Sequence, residues 1–447
     1  MGKILLLLII SGTTLQTLRA PFVGAMAYYC LAIWGPHYIW WWNFEGLRVS
    51  FIIAVTTLVA LAIAVSTKGV NLTLVKTKVN LCVFILWICS VISYFFAPYI
   101  GEMGEIPYLT LVSFNKIILF YFVSVLLVDD LKKLKFFSYV MILAMIHLTY
   151  WANYQYLSQN WDAFSQGRLM GPIGLENANI YNDENAFSMF FVSGVPFLFY
   201  WGLHLGKKIS RYLIWMVIPL GWHAIFLTGS RGGLVGLAAT LLAGIVFSKN
   251  RKIFVLLMLP VFVLAFQLQG GDLLKSRTDT IVDYQGESSA ETRLEAWTAA
   301  IKMVNEHPIT GVGIACFVRA MEDFSDKQPR ATHSVPMQFA AEIGVFAFLA
   351  YCLIVYFVFR QGLKINGLLK SYPAEFDPDE LATLLYLNEA SVVSFFGLSV
   401  CSLFLSLNYY EIFYFLLIIV GYLNYHVNHI LMVKSNRSAF NEYQANN

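Results

Sequence analysis

Charge is what this 447-residue sequence lacks. Asp, Glu, Lys and Arg make up 13% of it, against 58% hydrophobic residues, where an average soluble chain carries about 25% charged residues. So little charge over this length cannot cover a water-facing surface, which excludes a soluble globule. Disorder is excluded from the other side, since 16% of the residues are Phe, Trp or Tyr. Metal-ligand spacing is missing among the six cysteines, Cys30, Cys82, Cys89, Cys316, Cys352 and Cys401. Cys316, the one in a polar loop, has no evident disulfide partner, so all six read as filler. Internal repeats and low-complexity tracts are absent as well; a net charge of +3 says little until the charges are placed along the chain, and no nucleic-acid partner is expected. What is there is a set of long apolar runs. They are continuous rather than alternating, so they read as helices and not as barrel strands. The expected class is an all-α polytopic membrane protein.

Crossing a bilayer takes about 20 apolar residues. Runs of this kind place spans near 21–35, 49–66, 79–97, 114–128, 136–151, 185–203, 212–228, 232–247, 253–268, 335–359, 387–406 and 411–429. That makes about twelve, preceded by a short N-terminal membrane segment. Met1 to Leu18 resembles a signal peptide, but Leu18-Arg19-Ala20 is a poor cleavage site. Alternate loops are basic, with Lys68/Lys76/Lys78, Lys132/Lys133/Lys135, Lys207/Lys208/Arg211, Lys249/Arg251/Lys252, Arg360/Lys364/Lys370 and Lys434/Arg437. The opposite short loops hold single cations: Arg48, Lys116, Arg168 and Arg231. The positive-inside rule then puts the basic loops in the cytoplasm.

Two outer segments are long, 152–184 and 269–334. They divide the chain into N-terminal membrane helices (1–268), a loop domain (269–334), and C-terminal membrane helices with a tail (335–447). Within the loop domain Leu294, Trp297, Ala300, Ile301 and Val304 recur at helical spacing, with Thr292 as N-cap and Pro308 beyond the end. This amphipathic helix is expected to lie over the bundle.

The polar residues gathered on the outer side are the informative ones. Gly229-Ser230-Arg231-Gly232-Gly233 opens a span. A helix N-terminus offers unpaired N–H groups, glycine lets an anion approach, and a guanidinium matches phosphate geometry. The same residues would also suit a tight hairpin whose Arg231 snorkels to the headgroups; the residues alone leave both readings open. Arg168 and Arg293 lie in the two long outer segments. Each alone is an ordinary loop residue, but three outer arginines suggest a shared anionic ligand. His333 stands at the outer start of a span, as a proton-transfer group or as an interfacial histidine bonded to a carbonyl. Glu342 lies about 13 Å further along the same expected helix, a candidate site residue or a helix partner. His147, His204, His223, His426 and His429 read as structural. Carboxylates are nearly absent from the spans, which argues against an ion-coupled transporter.

Three blocks resemble the O-antigen ligase/polymerase superfamily of bacterial inner-membrane glycosyltransferases. They are SRGGLVGL (230–237), SSAETRLEAWTAAIKMVNEHPITGVGIACF (288–317) and HSVPMQFAAEIGVFA (333–347). In the last, His333, Ser334 and Gly344 fit the family spacing, and Ala347 stands where Gly, Thr or Tyr is more usual. GRLMGPIGLENANIYNDENAFSM (167–189) and APFVGAMAYYCLAIWGPH (20–37) look closest to the branch called exosortase-associated O-glycosylation ligases.

The resemblance implies an inverting, metal-independent and cofactor-free transfer on the periplasmic face of the inner membrane. A glycan would pass en bloc from an undecaprenyl-diphosphate carrier to an acceptor hydroxyl on lipid A core, protein or another glycan. Arg231 and Arg168, with Gly232 and Gly233, would hold the diphosphate and stabilise the leaving group's charge, Arg231 as a catalytic residue, and Arg293 is a weaker candidate for the same role. His333 would be the base or an orienting group, with Ser334, Glu342 and Asn185 as supporting residues. Asn177, Asn179, Asn182 and Asn185 would hydrogen-bond sugar hydroxyls or, as most of them read, build turns. The rivals are a polymerase, which takes a second lipid-linked glycan as acceptor, and a lipid or polysaccharide transporter. Membrane lipids would surround the chain in every case.

Overall fold

The structure, a computed structural model, describes residues 2–172, 180–204, 208–247 and 288–445. The span expected at 253–268, the turn residues Asn177 and Asn179, loop residues 269–287 and the side chain of His204 lie outside the described residues. The first helices are α1 Gly2–Arg19, α2 Phe22–Tyr29, a π-turn Cys30–Trp34, α3 Pro36–Ile39 and α4 Trp41–Phe44. There follow α5 Val49–Thr67, α6 Lys78–Phe96, α7 Ile106–Leu127, α8 Leu131–Leu157, α9 Glu184–His204, α10 Lys208–Thr228 and α11 Arg231–Phe247. The second half holds α12 Ser288–Glu306, α13 Phe317–Phe324, α14 Val335–Ile343, α15 Val345–Ser371, α16 Pro378–Ser402 and α17 Glu411–Ala445.

Among the described residues nine helices are long and apolar enough to cross a membrane, and Phe22–Trp34 and Arg231–Phe247 are shorter apolar segments. The protein is an all-α polytopic membrane protein. Several helix starts are set by side-chain caps that satisfy orphan N–H groups. Thr77 accepts from Asn80 N at 3.1 Å, Asp130 from Lys133 N at 2.7 Å, and Asp377 from Asp379 N at 3.2 Å. Asp183 starts α9 by accepting from Asn185 N and Ala186 N at 2.7 and 2.9 Å.

At the centre of the bundle stand α9 and α16, with α11 packed on both. Hydrocarbon chains are as apolar as leucine, so close approach and hydrogen bonds hold such helices together. A Cβ on Gly236 would fall 2.1 Å from Cys401 Sγ, and one on Gly397 2.0 Å from Thr240 Oγ1. Ser394 Oγ donates to the Ser193 carbonyl at 2.6 Å, tying α16 to α9 directly.

Two expectations need correction here. The span expected at 335–359 is broken: α14 ends at Ile343 and α15 begins at Val345. Gly344 sits at φ +99°, and a Cβ there would meet the Ile309 carbonyl at 2.2 Å. Val345 N donates to the Pro308 carbonyl at 2.8 Å, so the Pro308–Gly313 loop wedges into the break. Hydropathy runs straight through this point, which is why the sequence alone shows one helix. The second correction concerns α12, which starts at Ser288 and takes Thr292 inside the helix. It buries Ala296, Ala299, Ala300 and Met303 against Val312, Phe317 and Met321, while Leu294 and Ile301 stay exposed. Alanines let α12 lie close on its neighbours, and the larger residues fall on the other side.

Helix directions alternate, so the starts of α9, α11 and α14 and the ends of α10 and α16 share one face. The described basic loops, including Lys76, Lys132, Lys135 and Lys370, fall at the opposite end. Loop 97–105 joins the loop domain on the first face. There Tyr99 N donates to the Val312 carbonyl at 3.2 Å, and Arg319 bridges Glu102 at 2.7 Å.

Candidate active site

His333 lies in the short connection before α14 with a φ of +48°. A non-glycine residue keeps this left-handed conformation only where its surroundings impose it. Thr332, buried at 1% exposure, supplies much of that. Trp297 Nε1 donates to the Thr332 carbonyl at 2.9 Å, and Thr332 Oγ1 lies 3.2 Å from Ser406 Oγ and accepts from Ser334 N at 3.3 Å. The loop carrying His333 is therefore pinned to α12 on one side and to the loop after α16 on the other. Ser334 is the N-cap residue of α14, but its side chain makes no capping bond.

Trp297 follows Arg293 by one helical turn on α12, so the two share a face. Charge effects show what Arg293 faces. Burial and the neighbouring Arg231 cation both hold its guanidinium below the usual range. Burial, Arg293 and Arg330 in turn push the imidazole of His333 down from 6.5, while Asp183 and Glu184 oppose them. Arg231, Arg293 and His333, far apart in sequence, thus share one electrostatic neighbourhood, with Asp183 and Glu184 on its acidic border.

Arg231 starts α11, and its position follows from the residues around it. Ser230 Oγ accepts from Gly233 N at 3.1 Å and donates to Asn185 Oδ1 at 2.7 Å. This bond fixes the start of α11 against the first turn of α9 and brings Asn185 to the site. The glycines answer to packing here. The Gly233 amide is taken by Ser230, and a Cβ on Gly233 would lie 1.8 Å from Ser188 Oγ.

Arg168 stands on a small hairpin in which Ser165 pairs with Arg168 and Phe164 with Leu169. Gln166 and Gly167, at φ +51° and +71°, form the two-residue turn such a hairpin needs. Its guanidinium bridges Glu184 Oε1 at 2.6 Å. That carboxylate, the first residue of α9, is a partner the sequence did not suggest.

Glu342 holds the loop domain to the bundle. Its carbonyl accepts from Ser93 Oγ at 2.8 Å and Gly313 N at 3.0 Å. Its Oε1 accepts from Phe317 N at 3.3 Å and Gln338 Nε2 at 3.2 Å, leaving Oε2 buried without a partner. Burial pushes the carboxyl up to about 7. The Pro-x-x-Gly-x-Gly segment is explained by the same clamp, since Gly311 at φ +64° has no room for a Cβ, 2.3 Å from the Glu342 backbone.

Residues 187–352 match the family model described as O-antigen ligase. This segment is similar to the O-antigen ligase/polymerase superfamily. The match takes in Arg231, Arg293, His333 and Glu342, and leaves Arg168, Asp183, Glu184 and Asn185 outside it. No curated protein matches the chain. The three grouped basic residues, Arg231, Arg293 and His333, all lie on the matched segment.

Sequence reasoning missed Trp297, Thr332, Asp183, Glu184 and Ser406. Trp297 stood inside a quoted motif, and its spacing from Arg293 was the available signal. Three of the histidines read as structural make side-chain hydrogen bonds. His147 Nδ1 accepts from Trp34 Nε1, His223 pairs with Asn153, and His426 with Glu380. Asn408, 6% exposed with both amide atoms unpartnered, lines a small cavity beneath Val335 and had no sequence signal.

Proposed function

We propose that this enzyme transfers a glycan en bloc from an undecaprenyl-diphosphate carrier to an acceptor hydroxyl, with inversion and without a metal. The grouping of Arg231, Arg293 and His333 at one end of the bundle carries the reading. Two guanidiniums beside a helix start suit a diphosphate held at headgroup depth, and they stabilise the charge that grows on the leaving group. Burial first, and Arg293 and Arg330 after it, favour the neutral form of His333, ready to accept a proton. The acceptor oxygen attacks the anomeric carbon, its proton passes to His333, and the anomeric C–O bond breaks with the electron pair leaving on undecaprenyl diphosphate.

In this reading Arg293 ranks above Arg168. A diphosphate reaching Arg168 has to compete with the Glu184 carboxylate, whereas Arg293 already faces Arg231. Ser334 and Asn185 support the two loops, Gly233 lets α11 start close against Ser188 of α9, and Gly232 is left as the glycine that lets an anion approach. The positive-inside pattern supports a site on the periplasmic face of the inner membrane. Lipid A core, a protein side chain and a second glycan all fit the acceptor role.

The test is transfer in detergent or liposomes from a radiolabelled undecaprenyl-diphosphate glycan with EDTA present. Release of undecaprenyl diphosphate with label moving to an acceptor, lost in His333→Ala and Arg231→Ala, supports the reading and identifies the acceptor. Label that lands only on a second lipid-linked glycan makes the enzyme a polymerase. Folded wild-type protein silent with every acceptor contradicts transfer.

A further inference from the structure

On the flank of the bundle, away from His333, a groove of about 1020 Å³ runs between α5 and α7. Arg48 and Lys116 line it, both exposed, and neither makes an ion pair among the described residues. Lys116 is ten residues inside α7, where a cation in hydrocarbon is costly. Its depth follows from a shared cluster: Ala25 packs with Val123 on α7 and Leu58 on α5. At about 1.5 Å per residue, Arg48 stands about 15 Å above that cluster and Lys116 about 10 Å. The two cations therefore lie near one level, at the end of α5 that shares the face of His333. The first ten residues of α7 rise above that level towards loop 97–105.

Below the cations the groove is walled by apolar residues, Phe51 and Leu58 on one side and Leu119 and Phe120 on the other. Trp41 and Tyr38 stand at its upper rim, as aromatic residues do where hydrocarbon meets headgroups. Beside it is a second pocket of about 520 Å³, almost wholly apolar, which shares Phe44 and Val49 with the groove. Two unpaired cations above two adjoining apolar compartments match one phosphate and two chains.

We propose that Arg48 and Lys116 form a binding site for an anionic two-chain phospholipid of the bilayer leaflet on the His333 side. The phosphate sits between the two cations, with one chain along the α5–α7 groove and the other in the adjoining pocket. The site is independent of the glycan-transfer reading and stands or falls without it.

Native mass spectrometry of the full chain tests it, in mild detergent with equal amounts of dioleoyl phosphatidylglycerol and dioleoyl phosphatidylcholine. Wild type is expected to retain one phosphatidylglycerol with a preference of about tenfold or more, as two interfacial cations imply. The Arg48→Gln/Lys116→Gln variant loses that preference, and Lys132→Gln/Lys135→Gln at the opposite end keeps it. Equal retention of both lipids by wild type overturns the proposal without reference to any variant. An undiminished preference in Arg48→Gln/Lys116→Gln overturns it too, as does displacement of the retained lipid by undecaprenyl phosphate at equal concentration.

Discussion

The central pair α9 and α16 and the flanking helix α5 are apolar alike, yet 89% and 78% of the first two are buried inside the protein and only 22% of α5. In water such a contrast would leave α5 unstable. In a bilayer it separates two tasks, because lipid solvates α5 while small residues and hydrogen bonds lock α9 to α16 and α11. The difference shows where precision is built. The first turns of α9 and α11 present Glu184, Asn185 and Arg231, and both helices are held by close contacts that allow little drift. The flank carries a looser groove, suited to a lipid.

Substitutions at the central face should have the largest effects. His333→Ala is expected to lower transfer about 10²–10⁴-fold and Arg231→Ala about 10²–10³-fold, both at unchanged thermal midpoint in a transfer assay with parallel melting. Loss of the folded state in either would recast that residue as structural.

Packing substitutions come next and probe the contrast itself. Gly233→Val drives a branched side chain into Ser188 and should cost about 1–3 kcal/mol. Val55→Ala, on the exposed face of α5, should change stability by no more than about 0.5 kcal/mol. Comparable losses in denaturant melts would erase the distinction between centre and flank.

The Glu342 clamp is read through pH. A carboxyl raised from 4.5 to about 7 binds more protons folded than unfolded. Its contribution to stability is therefore present below 4.5 and lost as pH rises through about 7. The thermal midpoint of wild type should decline over that window more than that of Glu342→Gln, which keeps the Oε1 acceptor. Transfer activity of Glu342→Gln should stay near wild type. Identical slopes would mean that the carboxyl is not held in its protonated form.

Much of this was legible in the residues. Arg231, Arg293 and His333 stand in short motifs at the outer ends of apolar runs, and hydropathy with basic-loop spacing located most helices. The break at Gly344 was not, because it depends on the Ile309 carbonyl, thirty-five positions away, entering a stretch with no polar interruption. Nor was the buried face of α12, since periodicity favours large apolar residues and the helix packs on alanine. The pairing of Arg168 with Glu184 was hidden for a similar reason. It arises from a hairpin turn and a helix start meeting in space, so the sequence ranks Arg168 above Arg293, whereas in the structure Arg168 is engaged by Glu184 and Arg293 is the one that acts on His333.

The most direct test of that neighbourhood is the pH dependence of kcat/KM for wild type and Arg293→Gln. A base must be neutral to act, so activity should fall as pH drops through the pKa of His333. With Arg293 and Arg330 lowering that pKa and Asp183 and Glu184 raising it, the acid limb of wild type should lie below 6.5. Removing the Arg293 charge should move it to higher pH. An acid limb that stays in place in Arg293→Gln, or no limb at all near this range in wild type, would contradict a site in which Arg293 acts on His333.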